Sequence, residues 1–200
     1  ENNIVKNISR ISKYIILHLD HSKKLLIHLG MSGTLHLIDH KKKRKITNLS
    51  FYHSKILPKK HNHIKIKFSN FTIVYNDPRR FGFFKFINSK KELKKYFQKF
   101  GPEANSSKFD FEYIKSKFLN KEKNIKNFLL DQNFVSGIGN IYANEILFHC
   151  KINPFKEAKK LSNKEIKKLP KYSKLVLNLS IKFGGSSIKD FKNVKGMSGL

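Results

Sequence analysis

The hydrophobic pattern of this 200-residue chain changes along its length, and this change limits the fold more than any other feature. In the first half, short runs of β-branched and aromatic residues are separated by polar breaks, as in antiparallel strands. We expect strands at 14–19, 25–29, 34–38, 64–68, 71–75 and 83–87. The basic run 41–45 is predicted to be a solvated loop between strands.

The second half carries the signals of helices. Ser89 with Glu92, and later Ser162 with Glu165, have the Ser-x-x-Glu spacing of a capping box, which opens a helix. Helices are expected after both boxes and at 110–118, 123–130 and 140–149, and the glycines at 184 and 185 should end the last one. The sequence therefore predicts an α+β fold with a boundary near residue 101. An antiparallel β-sandwich would occupy 1–100 and a helical domain 101–200.

The charge of the chain indicates a polyanionic partner. Lys and Arg number 42 against 14 Asp and Glu, which gives a formal net charge of +28. Like charges at this density repel one another, and this repulsion is relieved when nucleic acid neutralises the protein. The counterions released from the nucleic acid then supply much of the affinity. The alternative is a base-biased genome that enriches Lys, Asn, Ile and Phe throughout its proteins. Base bias explains the choice of Lys over Arg, but it does not choose a sign of charge, so nucleic-acid binding is favoured.

Other classes of protein are excluded by what the chain contains. The single cysteine, Cys150, leaves no internal disulfide framework and no Cys-x-x-Cys metal pair. The polar opening does not resemble a signal peptide, and no apolar run approaches the roughly 20 residues of a membrane-spanning helix. We therefore expect a soluble cytoplasmic protein without a membrane partner.

The segment 127–154 is the most specific part of the sequence. A helix is expected to end near Asp131, a turn to contain Gly137 and Gly139, and Asn140 to open the next helix. Exposed amides at a helix N-terminus form a site that suits a DNA phosphate. An ordinary capped helix hairpin has the same spacing, and by spacing alone that alternative would be favoured.

Four well-separated blocks resemble one family in the family's order. Segment 127–154 resembles the helix–two-turn–helix motif of the formamidopyrimidine-DNA glycosylase and endonuclease VIII superfamily. His-Leu-Gly-Met-Ser-Gly at 28–33 and Asp-Pro-Arg-Arg-Phe-Gly at 77–82 resemble two further family motifs, and they favour the formamidopyrimidine branch. Gly-Pro-Glu-Ala at 101–104 resembles the family's interdomain linker. The resemblance covers almost the whole chain.

The resemblance implies roles for individual residues. DNA contacts are implied for Lys13, His61, Arg79, Lys121, Lys126 and Asn140. Lys13 would also donate a proton during elimination. A base under repair leaves the helical stack, and Met31, Arg79 and Phe81 would fill the void. Ser186 and Ser187 would belong to the loop that closes over the everted base.

Some of these residues also have ordinary structural explanations, which remain open. Met31 and Phe81 are residue types that usually lie in a core. Lys13 could be an ordinary exposed lysine at a strand end. The paired histidines His61 and His63 could indicate a metal, but no neighbouring carboxylate or cysteine supports one. Glu145, one turn beyond Ile141, is expected to point inward or to support a residue that contacts the DNA. We expect no metal site in these residues.

The implied function is DNA base-excision repair. The family member would be a bifunctional glycosylase and abasic-site lyase that removes 8-oxoguanine and formamidopyrimidines from duplex DNA and nicks by β,δ-elimination. The family's nucleophile is an N-terminal Pro followed by Glu, and its zinc is held by a four-cysteine finger. Here the first residues are Glu1 and Asn2, and the first proline is Pro58.

We therefore expect a fragment of a zinc-containing enzyme, a monomer that binds damaged duplex DNA but does not excise alone. Three alternatives stay open. The chain could be a degraded gene product, a non-catalytic nucleic-acid-binding remnant, or an endonuclease VIII-like enzyme for oxidised pyrimidines.

Overall fold

The computed structural model describes residues 3–40, 45–48, 57–183 and 185, with 45–48 described by their backbone alone. The chain forms two compact units. The first unit holds the described parts of Glu1–Ser9, Tyr14–Phe86 and Ser180–Leu200. The second unit holds Arg10–Lys13 and Ile87–Leu179. The short segment Arg10–Lys13 therefore groups with a part of the chain that follows it by more than 70 residues.

The strands form two four-stranded sheets within the described residues. They are β1 Val5–Ile11, β2 Tyr14–Leu19, β3 Lys24–His28, β4 Thr34–Asp39, β5 Lys45–Asn48, β6 Asn62–Lys67, β7 Phe71–Asn76 and β8 Phe83–Ile87. One sheet has the order β1-β2-β3-β8 and the other β5-β4-β7-β6. The pairs β2–β3, β4–β5, β4–β7 and β6–β7 are antiparallel.

The two sheets pack face to face through alternating side chains. Leu17, Leu25 and Ile27 of the first sheet form one buried cluster. Ile66 of the second sheet packs against that cluster, because the strict alternation of β6 turns its isoleucines to one face. This arrangement is a β-sandwich, so the predicted α+β fold is confirmed.

Two strands were not predicted, and both lie at sheet edges. The β1 strand carries polar residues at most of its positions, which hides its period. The β5 strand starts at Lys45, so the prediction of a loop through residue 45 was wrong there, while 41–44 lie outside the described residues. The β5 strand forms through backbone pairing with residues 35–38 of β4, which its side-chain pattern does not indicate. Charged edge strands also discourage pairing with other chains.

Helices fill the second unit. They are α1 Lys90–Phe97, α2 Phe111–Phe118, α3 Ile125–Leu130, α4 Asn140–Cys150 and α5 Asn163–Lys182, with a single 3-10 turn at Ala158–Lys160. The Ser162 capping box forms in full, because Ser162 accepts from the Glu165 amide and its own amide donates to the Glu165 carboxylate. At the other predicted box, Ser89 accepts from the Glu92 amide, but the Glu92 carboxylate accepts from the amide of Asn88 instead of Ser89. The core of this unit is rich in phenylalanine, with members at 109, 118, 128 and 134. In the described part of the chain, no helix combines the length and the apolar character needed to span a bilayer.

Candidate nucleic-acid interface

Gln132 holds the turn between α3 and α4 in one conformation. Its side-chain oxygen accepts a hydrogen bond from the Gly137 amide at 2.9 Å. Its side-chain nitrogen donates to the carbonyls of Leu130 and Ile138, each at 3.0 Å. Gly137 has a φ of +94°, a left-handed conformation that favours glycine. The glycine and the glutamine together fix how the chain enters α4.

The N-terminus of α4 is the first component of a candidate anion site. Gly139 is its N-cap and provides no side-chain capping hydrogen bond. An α-helix cannot satisfy its first N–H groups internally, and its dipole makes this end positive. Asn140, the first helical residue, is exposed, so its amide side chain lies at the entrance. This end of α4 can therefore receive an anion.

Lys13 is the second component of the same site. Its ammonium nitrogen lies 3.6 Å from the point where a Cβ on Gly139 would stand. Lys13 is exposed as a residue, as its strand-end alternative predicts, but partial burial of its ammonium lowers the pKa of that group. A cation beside the positive end of a helix is unfavourable unless an anion joins them. The pair therefore has the form of a phosphate site.

Ser12 fixes the hairpin tip that carries Lys13. Its hydroxyl donates to the Gln132 oxygen at 3.0 Å and accepts from the Gly137 amide at 3.1 Å. Its backbone N–H donates to a Glu103 carboxylate oxygen at 2.6 Å. Arg10 adds an ion pair to the same carboxylate at 2.9 Å. Lys13 is thus placed by four side chains of this unit.

The sequence reasoning gave no role to Ser12, Glu103 or Gln132. Ser12 and Gln132 are 120 positions apart, and a pairing across that distance leaves no local pattern. A φ of +54° at the non-glycine Ser12 is a structural sign of a built turn, but the sequence does not reveal it. Only the folded chain brings these three residues together.

The other predicted backbone contacts of this unit are more dispersed. Lys121 is exposed in the turn after α2, and Lys126 is half-buried in the first turn of α3. Among the described residues, the geometry joins only Lys13 to the start of α4. Glu145 is exposed, so the expectation that it points inward was wrong, because it falls on the outer face of α4.

In the first unit, the loops that contain the blocks 28–33 and 77–82 contact each other. A Cβ on Gly30 would lie 2.6 Å from the Gly82 nitrogen and 2.7 Å from the Phe81 carbonyl carbon. Gly30 also has a φ of +68°. Only glycine permits this approach, and it brings the loop that carries Met31 against the backbone of Phe81.

The three predicted void-filling side chains lie on the surface of this unit. Met31 is 50% exposed and Phe81 is 55% exposed. The alternative that they are core residues is therefore wrong for both. The Arg79 guanidinium stacks over the Phe81 ring, 4.6 Å from its centroid. Three side chains that suit insertion among bases thus share one pair of loops.

A buried carboxylate lies beneath these loops. Asp77 is fully buried and accepts hydrogen bonds from the Ser32 hydroxyl, the Tyr75 hydroxyl at 2.7 Å and the Gly82 amide at 2.9 Å. A weaker bond comes from the Arg79 amide at 3.3 Å. Burial opposes ionisation of Asp77, but these donors outweigh it and lower the pKa of the carboxyl.

Two remaining expectations concern His61 and the lesion loop. His61 is exposed, and its carbonyl accepts a hydrogen bond from the Asp77 amide at 3.0 Å. It therefore borders the loop that begins at Asp77. Ser186 and Ser187 lie outside the described residues.

Comparison with known proteins decides the family. Residues 1–84 match the family model of the formamidopyrimidine-DNA glycosylase N-terminal domain, and residues 100–192 match that of the H2TH domain. The formamidopyrimidine-DNA glycosylase of Wolbachia pipientis wMel is 38% identical over 197 residues, which cover 98% of this chain and 67% of the relative. This chain belongs to the formamidopyrimidine-DNA glycosylase family. The predicted resemblance is confirmed.

Other members give the same picture. The formamidopyrimidine-DNA glycosylase of Vibrio atlanticus is 36% identical over 200 residues, which cover all of this chain and 68% of the relative. A crystal structure of a Lactococcus lactis glycosylase variant with DNA that contains Fapy-dG has a TM-score of 0.83 and 32% identity. It covers 99% of this chain and 68% of that protein. The chain thus spans about two thirds of the length of these glycosylases.

The described residues of this chain do not form a zinc site. No group of three or more His, Cys, Asp or Glu among them is placed to hold a metal ion. Cys150 is buried in the helical core, and burial raises the pKa of its thiol to about 12. A lone thiol that burial keeps protonated does not fit the set of thiolate ligands that a zinc finger needs.

Proposed function

We propose that this protein acts in DNA base-excision repair, as a bifunctional glycosylase and abasic-site lyase for oxidised purines in duplex DNA. The observation that carries the proposal is the Lys13 ammonium held against the N-terminus of α4. Two positive groups converge there, and a DNA phosphate is the anion that would satisfy both. The family membership supplies the substrate class.

The proposed phosphate site divides the work between two residues. Lys13 supplies the charge, and Asn140 supplies an uncharged hydrogen-bond donor at the start of α4. Lys121, Lys126 and His61 add backbone contacts elsewhere on the DNA. Because a phosphate contact releases a counterion, each such lysine should add to the salt dependence of binding.

Void filling is assigned to the loops of the first unit. Met31 and Phe81 are exposed apolar side chains that can enter the space left by an everted base. Arg79 has a planar guanidinium with several donors, so it can also hydrogen-bond the orphaned base. Its stacking on Phe81 keeps the two side chains ready to enter together.

Lys13 is also proposed to deliver a proton during elimination. A lysine with its usual pKa holds its proton too strongly for efficient transfer near neutral pH. Burial lowers the pKa of Lys13, which favours transfer. The nucleophile of the family is an N-terminal Pro amine, which is not among these 200 residues, so no covalent step is assigned to them.

Further expectations follow from the family rather than from the geometry. We propose a β-sandwich domain over 1–100 and a helix–two-turn–helix domain over 101–200. Ser186 and Ser187 would lie in the loop that covers the everted base. The intact protein would carry zinc in a four-cysteine finger, act as a monomer and work on the chromosome in the cytoplasm.

The proposal is tested with protein isolated from its native source. Duplexes that contain 8-oxoguanine, a formamidopyrimidine or an oxidised pyrimidine are incubated with it, and incision is measured with and without borohydride trapping. Incision of the purine duplexes with a trapped protein–DNA adduct is expected. Preference for the pyrimidine duplex would favour the endonuclease VIII-like alternative, and tight binding without incision would favour a binding module.

The phosphate site has its own measurement. The variant Lys13→Met should lower the slope of log affinity against log salt by about 0.9, the value for one phosphate contact. Lys108→Met, a change of the same kind at an exposed lysine remote from these residues in sequence, is the matched control. Equal slopes for the two variants would remove Lys13 from the interface.

A further inference from the structure

Asp77 connects the two loops that carry the exposed Met31, Arg79 and Phe81 side chains. Its Oδ1 atom accepts from the Ser32 hydroxyl, next to Met31, and from the Arg79 amide. Its Oδ2 atom accepts from the Gly82 amide, next to Phe81. One buried carboxylate thus bonds to a neighbour of each exposed side chain or to that residue's own backbone.

Tyr75 supports this carboxylate from the side of the sheet. Its hydroxyl lies 2.7 Å from Asp77 Oδ2 and 3.3 Å from the Leu29 carbonyl, and the residue is 3% exposed. A Cβ on Gly33 or on Gly82 would overlap this hydroxyl. The ring therefore fills the space that the two glycines leave, and it anchors the carboxylate to β7.

The loop after Asp77 is shaped by the same side chain. Asp77 accepts from the amide two residues later, which is the bond of an Asx turn, and Pro78 follows it directly. Arg80 has a φ of +56°, a conformation that costs energy for a residue other than glycine. The Asp77 bonds therefore hold a loop that would relax without them.

We propose that Asp77 is a positioning residue that holds the Met31 loop and the Arg79–Phe81 loop as one rigid wedge for the DNA void. The proposal rests on the void-filling role proposed above. Asp77 itself is fully buried and does not reach the DNA. Its contribution is to fix three side chains before binding, so that little ordering remains to be done in the complex.

Asparagine at this position tests the role with almost no change in size. An amide has one oxygen and one NH2 group, whereas the carboxylate accepts at both oxygens. If the NH2 group faces Gly82, two donors oppose each other there. If it faces Arg79, the same conflict arises at that amide. Either orientation frees the loop that carries Arg79 and Phe81, while the identity of both residues is unchanged.

The experiment compares binding to an abasic-analogue duplex and to the undamaged duplex. The base opposite the analogue is 2-aminopurine, whose fluorescence reports a side chain inserted beside it. Asp77→Asn should reduce the preference for the abasic duplex by about tenfold, the factor expected for one or two lost hydrogen bonds. It should also abolish most of the fluorescence change, while affinity for undamaged DNA stays within about twofold, since phosphate contacts dominate that affinity.

Two further variants separate positioning from stability. Ser32→Ala removes the Ser32 bond to Asp77 and the 3.3 Å bond that the Arg79 amide donates to the Ser32 hydroxyl, but it leaves the Gly82 bond to Asp77, so it should produce a smaller loss of the same kind. Leu25→Ala weakens the same sandwich core without touching either loop, so it should leave the preference and the fluorescence unchanged in the folded protein. If Leu25→Ala lowers the preference as Asp77→Asn does, Asp77 acts through stability and the proposal is overturned.

The outcomes also separate this proposal from the proposed function. A wild-type protein with no preference for the abasic duplex and no fluorescence change would refute void filling itself. A wild-type protein that shows both, together with an Asp77→Asn variant that behaves identically, would refute the positioning role alone.

Discussion

Replacing Gln132 by glutamate should make the stability of the helical unit depend on pH in a direction that the wild-type protein does not show. The amide nitrogen of Gln132 donates to two carbonyls, those of Leu130 and Ile138, each at 3.0 Å. Gln132→Glu keeps the size and the accepting oxygen, but it replaces this donor with a second oxygen. In its ionised form, the new carboxyl would face two carbonyl oxygens with no proton between them.

The sign of the effect follows from this geometry. The folded protein favours the protonated form of the introduced carboxyl, so its folded-state pKa lies above the unfolded value of about 4.3. Stability should therefore be greatest below that unfolded value and should fall as the pH rises through the folded pKa. At neutral pH, where the introduced carboxyl is ionised, Gln132→Glu should be less stable than it is at low pH, where the carboxyl is protonated.

The stability loss expected for Gln132→Glu can be estimated by comparison with the loss expected for Gln132→Ala. That variant removes four hydrogen bonds, at about 1 kcal/mol net for each one. The Ser12 hydroxyl and the Gly137 amide keep the 3.1 Å bond between themselves, so a loss of about 2–3 kcal/mol is expected. Gln132→Glu should lose at least this much at pH 8 and clearly less at pH 4.

Urea unfolding at several pH values measures both variants against the wild type. Gln98→Glu, at an exposed position that ends α1, is the matched control and should change stability little at any pH. A Gln132→Glu variant as stable as the wild type at pH 8 would refute the account of this turn. So would a loss that is independent of pH.

Three further outcomes follow from single residues. Cys150, whose thiol pKa burial raises to about 12, should not react with a thiol reagent until the protein unfolds, and a fast native-state reaction would contradict its placement. Gly82→Ala should lower the unfolding free energy by about 3 kcal/mol or more, since its Cβ would overlap the Tyr75 hydroxyl, and a neutral result in thermal unfolding would contradict the loop packing. Burial opposes ionisation of Asp131, but the Lys123 bond and charge and the Asn133 amide bond together outweigh it and lower the pKa of the carboxyl, so the cost of Asp131→Asn in urea unfolding should be present at pH 7 and vanish as the pH falls through that pKa.

The sequence predicted those parts of the fold in which each side chain reports its own environment. The alternation of Ile64 and Ile66 identified β6, and the spacing of Ser162 and Glu165 identified the start of α5. The β1 strand escaped prediction because its pairing comes from the backbone and its polar side chains show no alternation.

The candidate site was predictable only where short, contiguous blocks of sequence carry it. Met31, Arg79 and Phe81 stand in short blocks with a recognisable order of residues. Asp77 stands in one of these blocks, but its role depends on Ser32, which is 45 positions away. Long-range hydrogen bonds of this kind leave no period or spacing in a sequence, so positioning residues become visible only in the structure.

The proposed function requires this protein to recognise damaged DNA by filling the void beside a missing base. The most direct measurement is the ratio of its affinities for an abasic-analogue duplex and the matching undamaged duplex, for the wild type, Arg79→Ala and Arg79→Lys. We predict a wild-type preference of about tenfold or more, and its loss in both variants, because lysine keeps the charge but not the planar donor array. A wild-type ratio near one, or a ratio that Arg79→Ala leaves unchanged, would contradict the claim.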